Sequence, residues 1–272
     1  MSIDNAAAQN DTATANSTTT ANSTATPNNA MTDVRQLRAS ISGLLGLAAS
    51  EEQILLARAD SDDVGTPDDW AAAPLVAHNT EFRRQQVQRL NAIQHRTTPP
   101  DFAEVDHESA ELYAELSARP AGVVAEESWT VAGQLVAQLK ATSTADLCDP
   151  ERNPWLRGRL LWLQIVVRGF WHPMGHVGEY YLRRGQPERA VALAKQSVQA
   201  ASYLEAPDQA RGMASYNLAC AYAQAGQLEE AVAAVSDAVT LNPDVRVNAA
   251  RDHDLEVLRA GGLLAAVLET SI

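Results

Sequence analysis

The sequence predicts an all-α protein: a four-helix bundle with a long middle crossover, followed by helical hairpins. Apolar residues form 46% of the chain, yet Phe occurs only 3 times, Gly and Pro are modest at 14 and 12, and Ala is abundant. That mixture suits close-packed helices better than a sandwich or barrel. Apolar positions also recur every three or four residues in four long segments, and a pattern of small residues, Gly and Pro repeats itself towards the C-terminus. At 272 residues there is room for two ordinary domains, or for one domain and a tail.

Residues 1–31 are almost entirely Ala, Asn, Ser and Thr, which bury too little apolar surface to offset the entropy of ordering, so a disordered tail is expected. The Asn-x-Ser/Thr matches at Asn10, Asn16 and Asn22 arise freely in such a composition. A first helix over 33–58 follows from Leu37, Ile41, Leu44, Leu45 and Ala48 on one face, continued by Ile54, Leu55 and Leu56. After "DSDDVGTPDD", a second helix runs from Trp70 to Gln94, with Pro74 in its first turn, where a missing N–H loses no intrahelical acceptor. "HRTTPPDFAEVDHE" ends it, and a short helix with Leu112, Tyr113 and Leu116 lies within the crossover.

The third long helix is expected over 124–142, its stripe formed by Trp129, Ala132, Leu135, Val136 and Leu139. The fourth extends from Trp155 to Arg184 with an interruption at Pro173. Proline there removes the hydrogen bond back to Gly169 and biases His172 away from helical dihedrals, which predicts a kink or a helix start. The bundle thus occupies 32–185.

In "MASYNLACAYAQAGQLEEAVAAVSDAVTLNPD", the order Leu218, Ala219, Tyr222, Gly226, Ala231, Ala238, Pro243 resembles the tetratricopeptide repeat, in which small residues let paired helices approach and Gly ends the first. Val177, Gly178, Tyr181, Gly185 and Ala190 repeat its first five positions, leading by 41 residues where 34 is usual. An insertion near "EAPDQA" is expected to absorb the difference. The repeat section is placed at 175–272, sharing the last bundle helix. Its closing "ARDHDLEVLRAGGLLAAVLE" resembles the terminal helices of such arrays, with His253 in a capping or surface role.

Lys and Arg total 21 against 34 Asp and Glu, and the resulting net charge of −13 excludes nucleic acid and anionic membrane as general partners. Arg83, Arg84 and Arg89 make a local basic patch or, in the plainer reading, a solvated helix face. Cys148 and Cys220 belong to no metal or disulfide spacing, and Cys220 reads as a buried, inert thiol. The longest nearly apolar run, "LLWLQIVV", is shorter than the roughly 20 residues of a membrane span. With no signal-like N-terminus either, a cytoplasmic protein is expected.

His172 and His176, at i and i+4, project from one side of a helix and can reach one metal ion. His78, on the apolar face with Leu75 and Phe82, is the third candidate ligand, against the competing reading of a core histidine bonded to a carbonyl or a Tyr. His95 and His107 flank the Pro-rich break and read as loop residues.

"DDWAAAPLVAHN" followed much later by "FWHPMGHVGEYYLRRG" resembles the DinB-like four-helix bundle superfamily. There a second-helix histidine and an H/E-x-x-x-H pair on the last helix surround a divalent metal. The segment from "VDHESAELYAELSARP" to "DLCDP" is similar to the ClbS/DfsB branch, whose known example is a self-protection hydrolase and some of whose members lack the metal. The resemblance covers residues 33–185 and implies His78, His172 and His176 as ligands of a divalent ion, zinc or nickel. It further implies a hydrolase or thiol-dependent transferase acting on a reactive small molecule, or a protein that sequesters one, and a homodimer. Glu81 and Glu179, three residues beyond His78 and His176, are the candidates for a general base, with exposed helix carboxylates the alternative. Trp70, Trp155, Trp162 and Trp171 are candidates for an apolar pocket or for the core. The repeat section offers a groove for a protein partner.

Overall fold

The computed structural model describes residues 27–59, 63–102 and 110–269, whose regular elements are all helices, with no strand among the described residues. Helix α1 spans Pro27–Arg58, α2 Ala72–Gln94, α3 Ala110–Ser117, α4 Ala121–Ala141 and α5 Thr144–Cys148. Next come α6 (Leu161–Val166), a π-helical turn (Val167–Trp171) and α7 (His172–Arg183). The chain closes with α8 (Pro187–Tyr203), α9 (Asp208–Gln224), α10 (Leu228–Leu241), α11 (Val245–Ala249), α12 (Glu256–Ala260) and α13 (Leu263–Glu269). Residues 1–26 of the expected tail and His107 lie outside the described residues. The rest of that tail, 27–31, is corrected to helix: α1 begins at Pro27, where a fixed φ and an absent N–H fit a helix start.

Helix α4 packs against both α1 and α2, and the π turn and α7 pack against the same two helices. The stripe of α4 differs from the expected one. Trp129 is 57% exposed, and the inward face is Val124, Ser128, Val131, Ala132, Leu135 and Leu139. Ser128 interrupts the apolar periodicity because its hydroxyl donates to buried Glu52, 2.7 Å away.

That carboxylate is the centre of a buried polar network. Arg83, fully buried like Glu52, donates from Nη1 (2.6 Å) and Nη2 (3.0 Å) to its two oxygens, and Asn79 adds a third donor at 3.0 Å. The basic patch is thereby corrected. Arg83 faces inward, Arg89 is 9% exposed with its guanidinium over the Phe102 and Trp155 rings, and Arg84 is paired with Glu81 and Glu127. A guanidinium enters a core when a carboxylate meets it fork to fork.

The effect expected of Pro173 is also corrected. His172 keeps helical dihedrals (φ −60°, ψ −51°), and the disturbance lies upstream in the π turn. Pro173 has no N–H to offer the Gly169 carbonyl, and Arg83 Nε donates there instead at 3.3 Å. A Cβ on Gly169 would stand 2.3 Å from Leu45 Cδ2, so any larger residue at this close approach to α1 would have to displace the Leu45 side chain. Proline and glycine together therefore suit the π turn and its close packing on α1.

Helices α7/α8 and α9/α10 form two hairpins with matching turns. Gly185 (φ +68°) and Gly226 (φ +74°) end the first helix of each, with N–H···O bonds from Gln186 to Tyr181 (2.8 Å) and from Gln227 to Tyr222 (2.9 Å). These are the left-handed cap and six-to-one bond that close a helix C-terminus. The connection from α8 to α9 is only the four residues 204–207, and α8 has 17 residues against 14 in α10. Part of the extra repeat length is thus helix, a correction to the expected loop insertion. One apolar core joins α1 to α9 through Leu193, Ala200 and Ala214, and a second joins α9 and α10 to the C-terminal helices through Leu255, Leu258 and Leu264.

Candidate metal centre and repeat groove

His78 projects from the inward face of α2, and His172 and His176 stand one turn apart on α7, which packs on α2. All three are buried, at 4%, 2% and 9% exposure. Each offers a ring nitrogen such that the three atoms lie within 4.8 Å of one another. The Nε2 atoms of His78 and His172 are 3.2 Å apart. Bonds of about 2.05 Å to a tetrahedral ion would set its ligand nitrogens about 3.3 Å apart, so this pair already has the required spacing. The donor set suits a borderline-soft divalent ion such as zinc or nickel.

Aromatic rings surround the cluster. Trp70 meets His78 edge-on at 5.5 Å, and Phe82 lies 4.8 Å from His78 and 4.2 Å from His172 between ring centres. Trp70 is held there by the segment 63–70. Asp63 accepts from the α2 backbone at Ala72 (2.9 Å), from Tyr180 (3.0 Å) and from Arg184 (2.7 Å), while Arg184 also binds Asp69 and Tyr113 donates to the Val64 carbonyl. Burial raises the Asp63 carboxyl, but Arg184, the Ala72 N–H and Tyr180 outweigh it and hold the group below its ordinary range. Asp63 thus fastens the loop to both histidine-bearing helices.

The two candidate carboxylates part company. Glu179 Oε2 is 3.5 Å from His176 Nδ1, one turn along the same helix. Glu81 is paired with Arg84 (3.1 Å) and Arg119 (3.2 Å), and none of its bonds reaches a histidine. Of the tryptophans, Trp70 borders the cluster, Trp162 is core, Trp155 lies against the Arg89 guanidinium, and Trp171 donates to the Ser197 carbonyl at 3.2 Å. His95 is exposed and bonded to the Asn91 carbonyl, and His253 is exposed beside the Asp252 cap.

Helix α7 also borders a groove of about 130 Å³, walled by α8, α9 and the segment 248–254, with His172 among its lining residues. Its lining is chiefly apolar, with Trp171, Met174 and Met213, and Gly175 and Gly178 keep the α7 wall low. One end is acidic. Cys220, Asp252 and Asp254 bring their polar atoms within 4.8 Å of one another, and Tyr216 donates to Asp252 at 2.5 Å. Sequence reasoning missed this end and the Glu52–Arg83 pair; Glu52 was marked only by its place on the apolar face between Ala48 and Leu55.

Burial pushes the Cys220 thiol well above its ordinary value, with Asp252 and Asp254 adding, so the thiol stays protonated. Burial likewise pushes Asp254 up to about 6, with the Asp252 and Glu179 carboxylates contributing. A carboxyl whose folded value exceeds its unfolded one favours folding in its protonated form, so the fold loses stability as pH rises from about 4 through 6. Asp254→Asn is therefore expected to stabilise the protein by about 1–3 kcal/mol at pH 7.5, with the gain shrinking at pH 5. Thermal melts of both proteins at the two pH values measure it, and an unchanged or lower melting temperature at pH 7.5 refutes it.

Residues 214–245, which cover most of α9 and all of α10, match the tetratricopeptide repeat family. No curated protein and no solved structure matches the chain. Among the described residues no helix is long and apolar enough to cross a membrane.

Proposed function

We propose that residues 32–185 form a DinB-like bundle in which His78, His172 and His176 hold one divalent ion, zinc or nickel. In this reading the protein is a hydrolase or thiol-dependent transferase for a reactive small molecule, and 175–272 form a repeat section that shares α7 with the bundle. One observation carries it: three buried imidazoles from two helices present ring nitrogens within 4.8 Å of one another. A divalent ion held by His78, His172 and His176 would supply Lewis-acid chemistry near neutral pH. Glu179 orients His176, while Trp70 and Phe82 keep bulk water from the cluster. Elemental analysis of the purified chain is expected to find about one ion per molecule, lost in His176→Ala. A metal-free protein that takes up neither zinc nor nickel on addition removes the reading.

The repeat at 214–245 favours a second function on the same chain, the binding of a partner protein. If the metal test fails, this reading stands alone and the bundle is a structural support.

A further inference from the structure

The groove beside α7 combines features that tell its occupant apart from others. Its walls are apolar, Glu179, Asp252 and Asp254 supply three carboxylates, and among the described residues no lysine or arginine lines it. Arg259, the neighbouring cation, donates to the backbone oxygens of Ala250 and Asp252 and pairs with Glu256, so its guanidinium is committed to the backbone and an outer carboxylate. An acidic peptide terminus would face like charges here, which is costly in a part-buried place. A metal ion is poorly served, because the Cys220 thiol holds its proton and would have to lose it to ligate.

Long basic side chains satisfy both halves of the groove. A lysine or arginine lays its methylene stem on apolar surface while its charged head seeks oxygen. We propose that the groove between α7, α8, α9 and the segment 248–254 receives a lysine or arginine side chain of a partner protein's segment. The stem lies along Met174 and Met213, and the head reaches Asp254 and Glu179. The apolar neighbours of that side chain in the partner lie against Trp171 and Ala194. This assignment rests on the protein-binding reading of the repeat; His78 and His176 do not line the groove, whereas His172 does, and Glu179 lies between the groove and His176.

Selection from a randomised peptide library on the full-length chain tests it. The expected result is enrichment of Lys or Arg at one position with apolar residues beside it. Asp254→Asn is then expected to weaken the best selected peptide by at least about tenfold. Asp237→Asn, the same charge change on the exposed face of α10, is expected to leave affinity within about twofold, which separates the groove from the general attraction of an acidic protein. Selection of peptides without a basic residue, or equal effects of the two Asp variants, overturns the assignment while leaving protein binding intact. No selection at all overturns both.

Discussion

Glu52→Ala is expected to destabilise the protein by about 3–5 kcal/mol, the effect of leaving a buried charge without its partner. Glu52 and Arg83 have no exposed surface, and Glu52 also accepts from Asn79 and Ser128. Its loss strands a guanidinium, an amide and a hydroxyl in a site closed to water. Replacing both charges, as in Glu52→Leu with Arg83→Met, is expected to recover much of the loss, because two apolar side chains need no partners. Recovery is expected to stop short of the parent for a reason particular to this chain. Arg83 Nε is the donor to Gly169 O, and Pro173 cannot replace it. Urea denaturation of the parent, the two single variants and the double variant measures the coupling. A Glu52→Ala loss below about 1 kcal/mol would show that the pair contributes little to folding.

The helices were legible in the sequence where apolar spacing and helix breakers agreed. Pro74 in the first turn of α2, the glycines after α7 and α9, and the short helix at Leu112 all fell where the spacing put them. Errors arose where a polar residue took a core position. Ser128 and Glu52 belong to inward faces, but periodicity counts apolar residues only, so the stripe of α4 was drawn through Trp129, which faces solvent. Pro173 misled for a different reason. Its local preference favours a break, whereas packing on α1 and the Arg83 donor support a π turn that local propensity does not encode. The three histidines could be named from spacing on two helices, but the acidic end of the groove joins Cys220 to Asp252 and Asp254 across a turn whose path sequence alone does not set.

Chelation of the proposed ion is expected to lower the melting temperature by about 8–16 °C. An ion present at 1,000 times its dissociation constant adds about 4 kcal/mol to the folded state, and about 2–4 °C follows from each kcal/mol in a domain of this size. The same cluster predicts how three substitutions combine. His78→Ala, His172→Ala and His176→Ala are each expected to remove most of the metal-linked stability, so any two together cost little more than one in the presence of metal. Protons compete with the ion for the ring nitrogens, so the difference between metal-loaded and chelated protein is expected to shrink as pH falls. Histidines that serve only as packing behave otherwise. Each alanine then leaves its own cavity, the losses add to a greater extent, and a chelator changes nothing. Thermal melts of the parent and the three variants, with and without chelator, distinguish the two cases. Glu179→Gln sharpens the comparison, because it keeps the side chain's volume while weakening its hold on His176 Nδ1. It is expected to reduce metal affinity by about 10–100-fold and to leave the melting temperature of the chelated protein close to that of the chelated parent.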